Sequence, residues 1–427
     1  MKQVIIVGFG CAGYHAAKAL REAGFTGLIH VFTDCEDAPV NPMLTTYYID
    51  GKIPLETMLP FGGLSGLALE LDLIVHTEAR ITSIDFDKKL AVCDDGVSYP
   101  YDKLLLATGA SAQRPPVPGS GRSQVYTMRT KDDAVRLNER LDSGGVKNAV
   151  VVGASMVGIK VAEVLVDRGI ETTIGDNAEY IFPLAALPDT AKKIEDIIRS
   201  KGVELLFGSG ITGIIQKGSH LNARFSGDIE RDCDLVVLCT GVRANTQLAG
   251  ERVETRRGIV ADERMRTNVP DVYAAGDCVE SFNIQSGGTS VIGLWASAAS
   301  QGEIAGKNMA GLETRCAGNI IQHNSHFFDM DFVSCGDNKE TGKQFGYESP
   351  DGRIQIRVVA DDKKILCFNI LNQVAVSGIL KGFLIKRLVA PEAPLGYSER
   401  IRLRDQGLPG WFIQELEFAG SGVNANF

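Results

Sequence analysis

Three glycines and a carboxylate near the start of the chain carry the first chemistry the sequence can support. Gly8, Gly10 and Gly13 lie in the run VGFGCAG, and Asp34 follows at the spacing of about twenty residues that dinucleotide-binding turns use. A first glycine permits a tight turn, a second lets the backbone approach a pyrophosphate, and a third lets a helix pack on its strand. The N–H groups opening that helix, at Cys11 and Ala12, would then face phosphate oxygens. Asp34 can accept a hydrogen bond from a ribose hydroxyl, with Glu36 as the alternative if the strand runs further. A glycine-rich turn without ligand is the competing reading.

A second set repeats the pattern: Gly153-Ala-Ser155-Met-Val-Gly158, then Asp176. Ser155 takes the second glycine's place and is still small enough for a close approach. Asp176 suits a ribose 2′-hydroxyl and would repel an added 2′-phosphate, which favours NADH over NADPH. Two such sets mean two nucleotides, or a duplication with one site dead; two working sites are the expectation. Asp277, delivered by a short strand Val272–Ala275 to a turn before a helix, can accept a hydrogen bond from a polyol chain, or else cap that helix. Pro42 to Thr46 fall in a turn-rich loop after Asp34 and are candidates for the wall facing a reactive ring.

Positioning these residues requires parallel strands joined by helices. Val4–Val7 is a β-branched run, Tyr14–Ala23 has helical periodicity, and a second apolar strand follows. The same order restarts at Asn148. Each half closes with a buried strand ending in Thr-Gly: YDKLLLATGA, containing Ala107, Thr108, Gly109 and Ala110, and DLVVLCTGVRAN, containing Gly241. Ile81–Phe86 with Leu90–Cys93 reads as a hairpin, and Pro115, Pro116, Pro118 and Gly119 as a linker. Trp295–Ala310 is a helix of small residues that could lie beneath a flat ring. From Ile320, alternating runs at Met330–Cys335, Ile354–Val359 and Ile365–Leu371 and a helix over Val374–Leu388 suggest a separate small α+β domain. His323 and His326 read as packing or interface residues, and the tail after Pro391 is unassigned.

Composition narrows the classes. The 427 residues are 44% hydrophobic and 23% charged, as in an ordinary globular chain of two or three domains. A net charge of -9 without a basic block disfavours nucleic acid. No stretch is apolar enough to span a membrane and the N-terminus enters a strand at once, so a cytoplasmic location is expected. Nine scattered cysteines without C-x-x-C fit reduced thiols, not disulfides or a zinc site.

Taken together, GFGCAG, YDKLLLATGA, VYTMRTKDDA, VVVGASMVGIKVAE, DLVVLCTGVRAN and VPDVYAAGDC, in that order over residues 1 to about 310, resemble the FAD- and NAD(P)H-dependent pyridine nucleotide:disulfide oxidoreductase superfamily. The resemblance implies an α/β fold with two Rossmann-like dinucleotide-binding domains, glutathione-reductase-like, plus the small C-terminal α+β domain as an interface domain, and homodimers. It divides the chain into 1–113 and 245–319 for FAD, 114–244 for NAD(H), 320–390 for the interface domain and 391–427 as tail. It implies that Gly8, Gly10, Gly13, Asp34, Thr108, Gly109, Arg129 and Asp277 hold FAD, and that Gly153, Gly158 and Asp176 hold NADH.

The departures bear on function. Neither the cysteine pair of disulfide reductases nor the C-x-x-C of thioredoxin reductases is present. Coenzyme A disulfide reductases and NADH oxidases or peroxidases carry a single redox cysteine before a Tyr-Tyr-Ile run; here Pro42 takes its place, in Asn41-Pro-Met-Leu. The loop is instead similar to that of rubredoxin and ferredoxin reductases and nitrite reductase flavin subunits. Where ferredoxin-reductase-like members place a Lys and a Glu, this chain has Thr46 and Lys160, so Lys160 is a candidate cation for the reduced flavin. The expected activity is NADH oxidation through FAD to an acceptor, a redox protein or alternatively oxygen or another small molecule. A nucleotide-sensing flavoprotein subunit is the non-catalytic rival.

Overall fold

The structure, a computed structural model, describes residues 2–339, 341–362 and 364–419. They form two compact units, one from Met1–Gln113, Met128–Asp142 and Val242–Asn319, the other from Arg114–Thr127, Ser143–Gly241 and Ile320–Phe427.

The first unit is built on a five-stranded sheet in the order Val272–Ala274, Lys103–Leu106, Gln3–Val7, Leu28–Phe32, Ile74–His76, parallel throughout. Both faces of such a sheet are covered, which is why Val4 to Val7 read as a continuous apolar run. Val4 and Ile6 pack with the helices Cys11–Glu22 and Trp295–Met309. Ile5 and Val7 pack on the other face with Ile81 and Ala91 of a small antiparallel sheet. The two helices meet through glycine: a Cβ on Gly302 would lie 2.2 Å from the Ala12 carbonyl oxygen, and one on Gly306 2.4 Å from that of Ala16. The small residues expected beneath a flat ring thus serve the contact between helices.

The second unit repeats the plan, with a parallel sheet in the order Glu204–Leu206, Glu171–Gly175, Asn148–Val152, Leu235–Leu238, Val125–Thr127 and the helix Met156–Asp167 after the central strand. Its C-terminal part is an antiparallel sheet in the order Gln322–Phe327, Met330–Gly336, Ile365–Leu371, Gln355–Ala360, Lys343–Glu348. The helix Ser377–Val389 follows. The unassigned tail forms two further helices, Tyr397–Asp405 and Gly410–Phe418.

The C-terminal sheet is knitted into this unit. The buried Asn369 accepts from the Leu187 N–H at 2.6 Å and donates to the Ala185 carbonyl at 2.9 Å. Met128–Asp142, placed by the sequence boundaries with the second dinucleotide domain, folds with the first unit. Among the described residues no helix is long and apolar enough to cross a membrane.

Candidate dinucleotide sites

In the first unit the chain turns sharply after the strand Gln3–Val7. Gly8 has φ +101°, and a Cβ there would lie 2.2 Å from the Ala107 carbonyl oxygen, so only glycine fits. A Cβ on Gly13 would strike the Gly8 carbonyl oxygen at 2.1 Å, which sets how closely the helix packs on its strand. Gly10 is different: a Cβ there would meet nothing within 4 Å. Gly10 also caps a helix start to which no side chain supplies a cap hydrogen bond. Its first N–H groups are therefore presented to the adjoining cleft, and a helix N-terminus favours anions.

That cleft has a volume of ≈ 490 Å³. Gly8, Gly10, Cys11 and Ala12 line one side, and Ala107 to Ala110 continue the wall; Asp34 lies at the end of the second strand. Asp34 is largely exposed, with Arg80 3.2 Å away. Gly109, with φ +65°, adds nothing that would obstruct the cleft. Thr108 is committed elsewhere: its hydroxyl donates to the Asn245 carbonyl at 2.6 Å and its own carbonyl accepts from the Asn245 side chain. Gly13 supports the turn without lining the cleft.

Asp277 and Arg129 meet in the same wall. The Arg129 guanidinium donates to the Asp277 carboxylate at 2.6 Å and to the Ala110 carbonyl at 3.1 Å. Contrary to the expectation, Asp277 does not precede a helix; a strand, Val279–Phe282, follows, and helix capping is not its role. Arg129 is held from behind by a capping box that the sequence reading missed. Thr130 and Asp133 exchange hydrogen bonds across the start of the helix Lys131–Asp142, and the Asp133 carboxylate also accepts from the Arg129 N–H at 3.0 Å. The signal was present as Thr-x-x-Asp. Lys131, the first residue of that helix, and Asp37 also line the cleft and were not singled out.

Pro42 and Met43 line the cleft too, in the short turn Pro42–Leu44 capped by Asn41. Two cysteines reach it. Burial pushes the Cys11 thiol up to about 12, with the Asp277 charge adding to the effect, so it stays protonated near neutrality. Cys35 is exposed beside Asp34. This donor set fits a dinucleotide with a polyol arm: uncapped helix N–H groups, a carboxylate after the second strand and an arginine–aspartate pair in the same cleft lining.

The second turn has the same skeleton but a different lining. Gly153 has φ +107°, and a Cβ on Gly158 would lie 2.1 Å from the Gly153 carbonyl oxygen. Ser155, expected to line a phosphate, instead turns inward: its hydroxyl accepts from the Gly158 N–H at 3.2 Å and donates to the Cys239 carbonyl at 3.0 Å. Asp176 accepts from the Ala154 and Ala178 N–H groups at 2.7 and 2.8 Å. Gly241, with φ +92° and open space at its Cβ, mirrors Gly109.

Lys160 is buried, not on the helix surface. Its ammonium lies 2.6 Å from the Glu163 carboxylate, and the other Glu163 oxygen accepts from the Phe328 N–H at 2.9 Å. Phe328 stands at φ +48° in the turn between Gln322–Phe327 and Met330–Gly336.

Residues 2–302 match the pyridine nucleotide-disulphide oxidoreductase family. The chain belongs to that family and is an oxidoreductase of its FAD- and NADH-using kind. A rubredoxin-NAD(+) reductase of Pseudomonas putida is 29% identical over 319 residues, covering 73% of this chain and 80% of the relative. The epsilon subunit of the NADH-dependent phenylglyoxylate dehydrogenase of Aromatoleum evansii is 28% identical over 389 residues, 90% of this chain and 91% of the relative. A solved structure of a water-forming NADH oxidase from Lactobacillus brevis, bound to NADH, superposes with a TM-score of 0.85 at 22% identity, covering 97% of this chain and 99% of that one, a likeness of fold.

Proposed function

We propose that the chain oxidises NADH and delivers the electrons directly to a redox protein, with FAD held in the first unit's cleft and NADH at the turn Gly153–Gly158. When bound, a flavin supplies the step that takes an electron pair from NADH and releases single electrons. The protein's own residues bind and orient. The Cys11 and Ala12 N–H groups would take the pyrophosphate of FAD, Asp34 its ribose, and Asp277, aligned by Arg129, its polyol arm. Asp176 would take the NADH ribose in exchange for a backbone partner.

The observation that carries the reading is the cleft wall at Pro42 and Met43, with Cys11 held as a neutral thiol. A disulfide relay needs a thiolate there, and the wall offers none at Pro42. The rubredoxin-NAD(+) reductase and the epsilon subunit, both matched over most of their lengths, support a protein acceptor. Lys160 enters as the candidate cation for the reduced cofactor, with Glu163 as counter-charge; an unchanged midpoint potential in Lys160→Met removes it. A cytoplasmic homodimer completes the proposal, checked by fractionation and sedimentation. The acceptor is tested by anaerobic NADH-driven reduction of rubredoxin, ferredoxin and their like. Turnover with oxygen as fast as with any of them favours an oxidase instead.

A further inference from the structure

Lys131 and Asp37 form an ion pair that the proposed function does not use. The Lys131 ammonium lies 2.6 Å from the Asp37 carboxylate, both side chains about three-quarters buried and both lining the cleft. They come from two lining segments 94 residues apart in the sequence. Asp37 sits in the segment between Phe32 and Pro42, which has no helix or strand of its own. It is the segment that also presents Asp34 and Cys35. Lys131 begins the helix Lys131–Asp142, whose start the Thr130–Asp133 box fixes and which opens two residues after Arg129. One end of the bridge is thus rigid and the other ties down an irregular loop. The Asp37 hydrogen bond raises the Lys131 pKa, which keeps the Lys131 ammonium charged at neutral pH.

We propose that this pair is a latch that closes the cleft's two flanks over the bound dinucleotide and slows its release. Resting on the FAD reading above, it assigns Lys131 and Asp37 to retention of the cofactor, not to its chemistry. A cofactor that must survive many turnovers needs slow dissociation, and slow dissociation depends on contacts that must break before the ligand can leave. Lys131 would act on Asp37, not on the cofactor's phosphates.

The test uses the protein as purified with FAD and follows the fluorescence gained as FAD is released on dilution. Lys131→Met and Asp37→Asn should each speed release about fivefold, as expected for a largely buried ion pair that keeps some solvent access. The exchanged pair, Lys131→Asp with Asp37→Lys, should return release to within about twofold of the starting protein, because it restores the bridge with its polarity reversed. Added salt should speed release in the parent and not in the single variants. Release at the parental rate in both singles overturns the latch, as does slower release in Asp37→Asn, which would mean that Lys131 binds the cofactor itself. Protein that retains no FAD before any substitution refutes the FAD reading, a distinct outcome.

Discussion

The two dinucleotide turns share a skeleton and differ in what they leave exposed. Gly8 and Gly153 have nearly the same φ, and a Cβ on Gly13 or Gly158 would lie the same 2.1 Å from the carbonyl oxygen of Gly8 or Gly153. Yet in the first turn Gly10 leaves open space and no side chain caps the helix, whereas in the second Ser155 caps it and Asp176 folds back onto Ala154. The lesson is that the glycines which set the backbone are fixed by packing, while the residues that meet a ligand are free to differ. A turn left unsatisfied by its own side chains suits a nucleotide that stays. A turn whose donors are already partly satisfied must exchange internal hydrogen bonds for ligand contacts, which suits one that comes and goes.

Substitutions at the shared positions should therefore hurt both halves alike. Gly8→Ala and Gly153→Ala each force a side chain into a carbonyl oxygen at positive φ, and each should cost about 3 kcal/mol or more in denaturant melts. A large inequality between them would break the claim of a common scaffold. Lys160→Met has no counterpart in the first half. It strands a buried carboxylate and should cost about 3 kcal/mol. Adding Glu163→Gln should recover most of that loss, because the amide can still accept from Phe328 while no charge is left alone.

Gly10→Val and Ser155→Ala sharpen the comparison at the positions that differ. Gly10→Val should fold with a stability within about 0.5 kcal/mol of the parent but lose its flavin, read as absorbance per protein. Ser155→Ala should lose about 1 kcal/mol with its cap and retain flavin. The smallest effect concerns the thiols. With its pKa at about 12, Cys11 should stay unalkylated by iodoacetamide from pH 7 to about 9, where exposed Cys35 is modified; mass spectrometry of tryptic peptides checks both.

Much of this was legible because glycine spacing and apolar runs report backbone packing directly. Gly8, Gly13, Gly153 and Gly158 sit where a side chain would strike a backbone carbonyl oxygen, and the parallel strands run through Val4–Val7 and Asn148–Val152. What side chains do once placed was less legible. Ser155 could have faced a phosphate or its own helix, and only the geometry shows the hydroxyl on Gly158. Asp277 reads as lying at a turn between the strand Val272–Ala275 and a helix, but a strand follows it and an arginine 148 positions away in sequence bonds it. Lys160 reads as a candidate cation for the reduced flavin, and the buried partner it meets, Glu163, is itself tied to a hairpin turn at Phe328, far along the chain. Met128–Asp142 folds with the first unit because Arg129 bonds Asp277 and Lys131 bonds Asp37, long-range pairs that no local pattern announces.

Whether a thiol shares the electrons with the flavin is decided by an anaerobic titration with NADH, which counts them. The holoprotein should be fully bleached by a single NADH per FAD and take up no more. Uptake of a second equivalent, with thiols appearing as it is consumed, would show a redox disulfide in the path and contradict direct transfer.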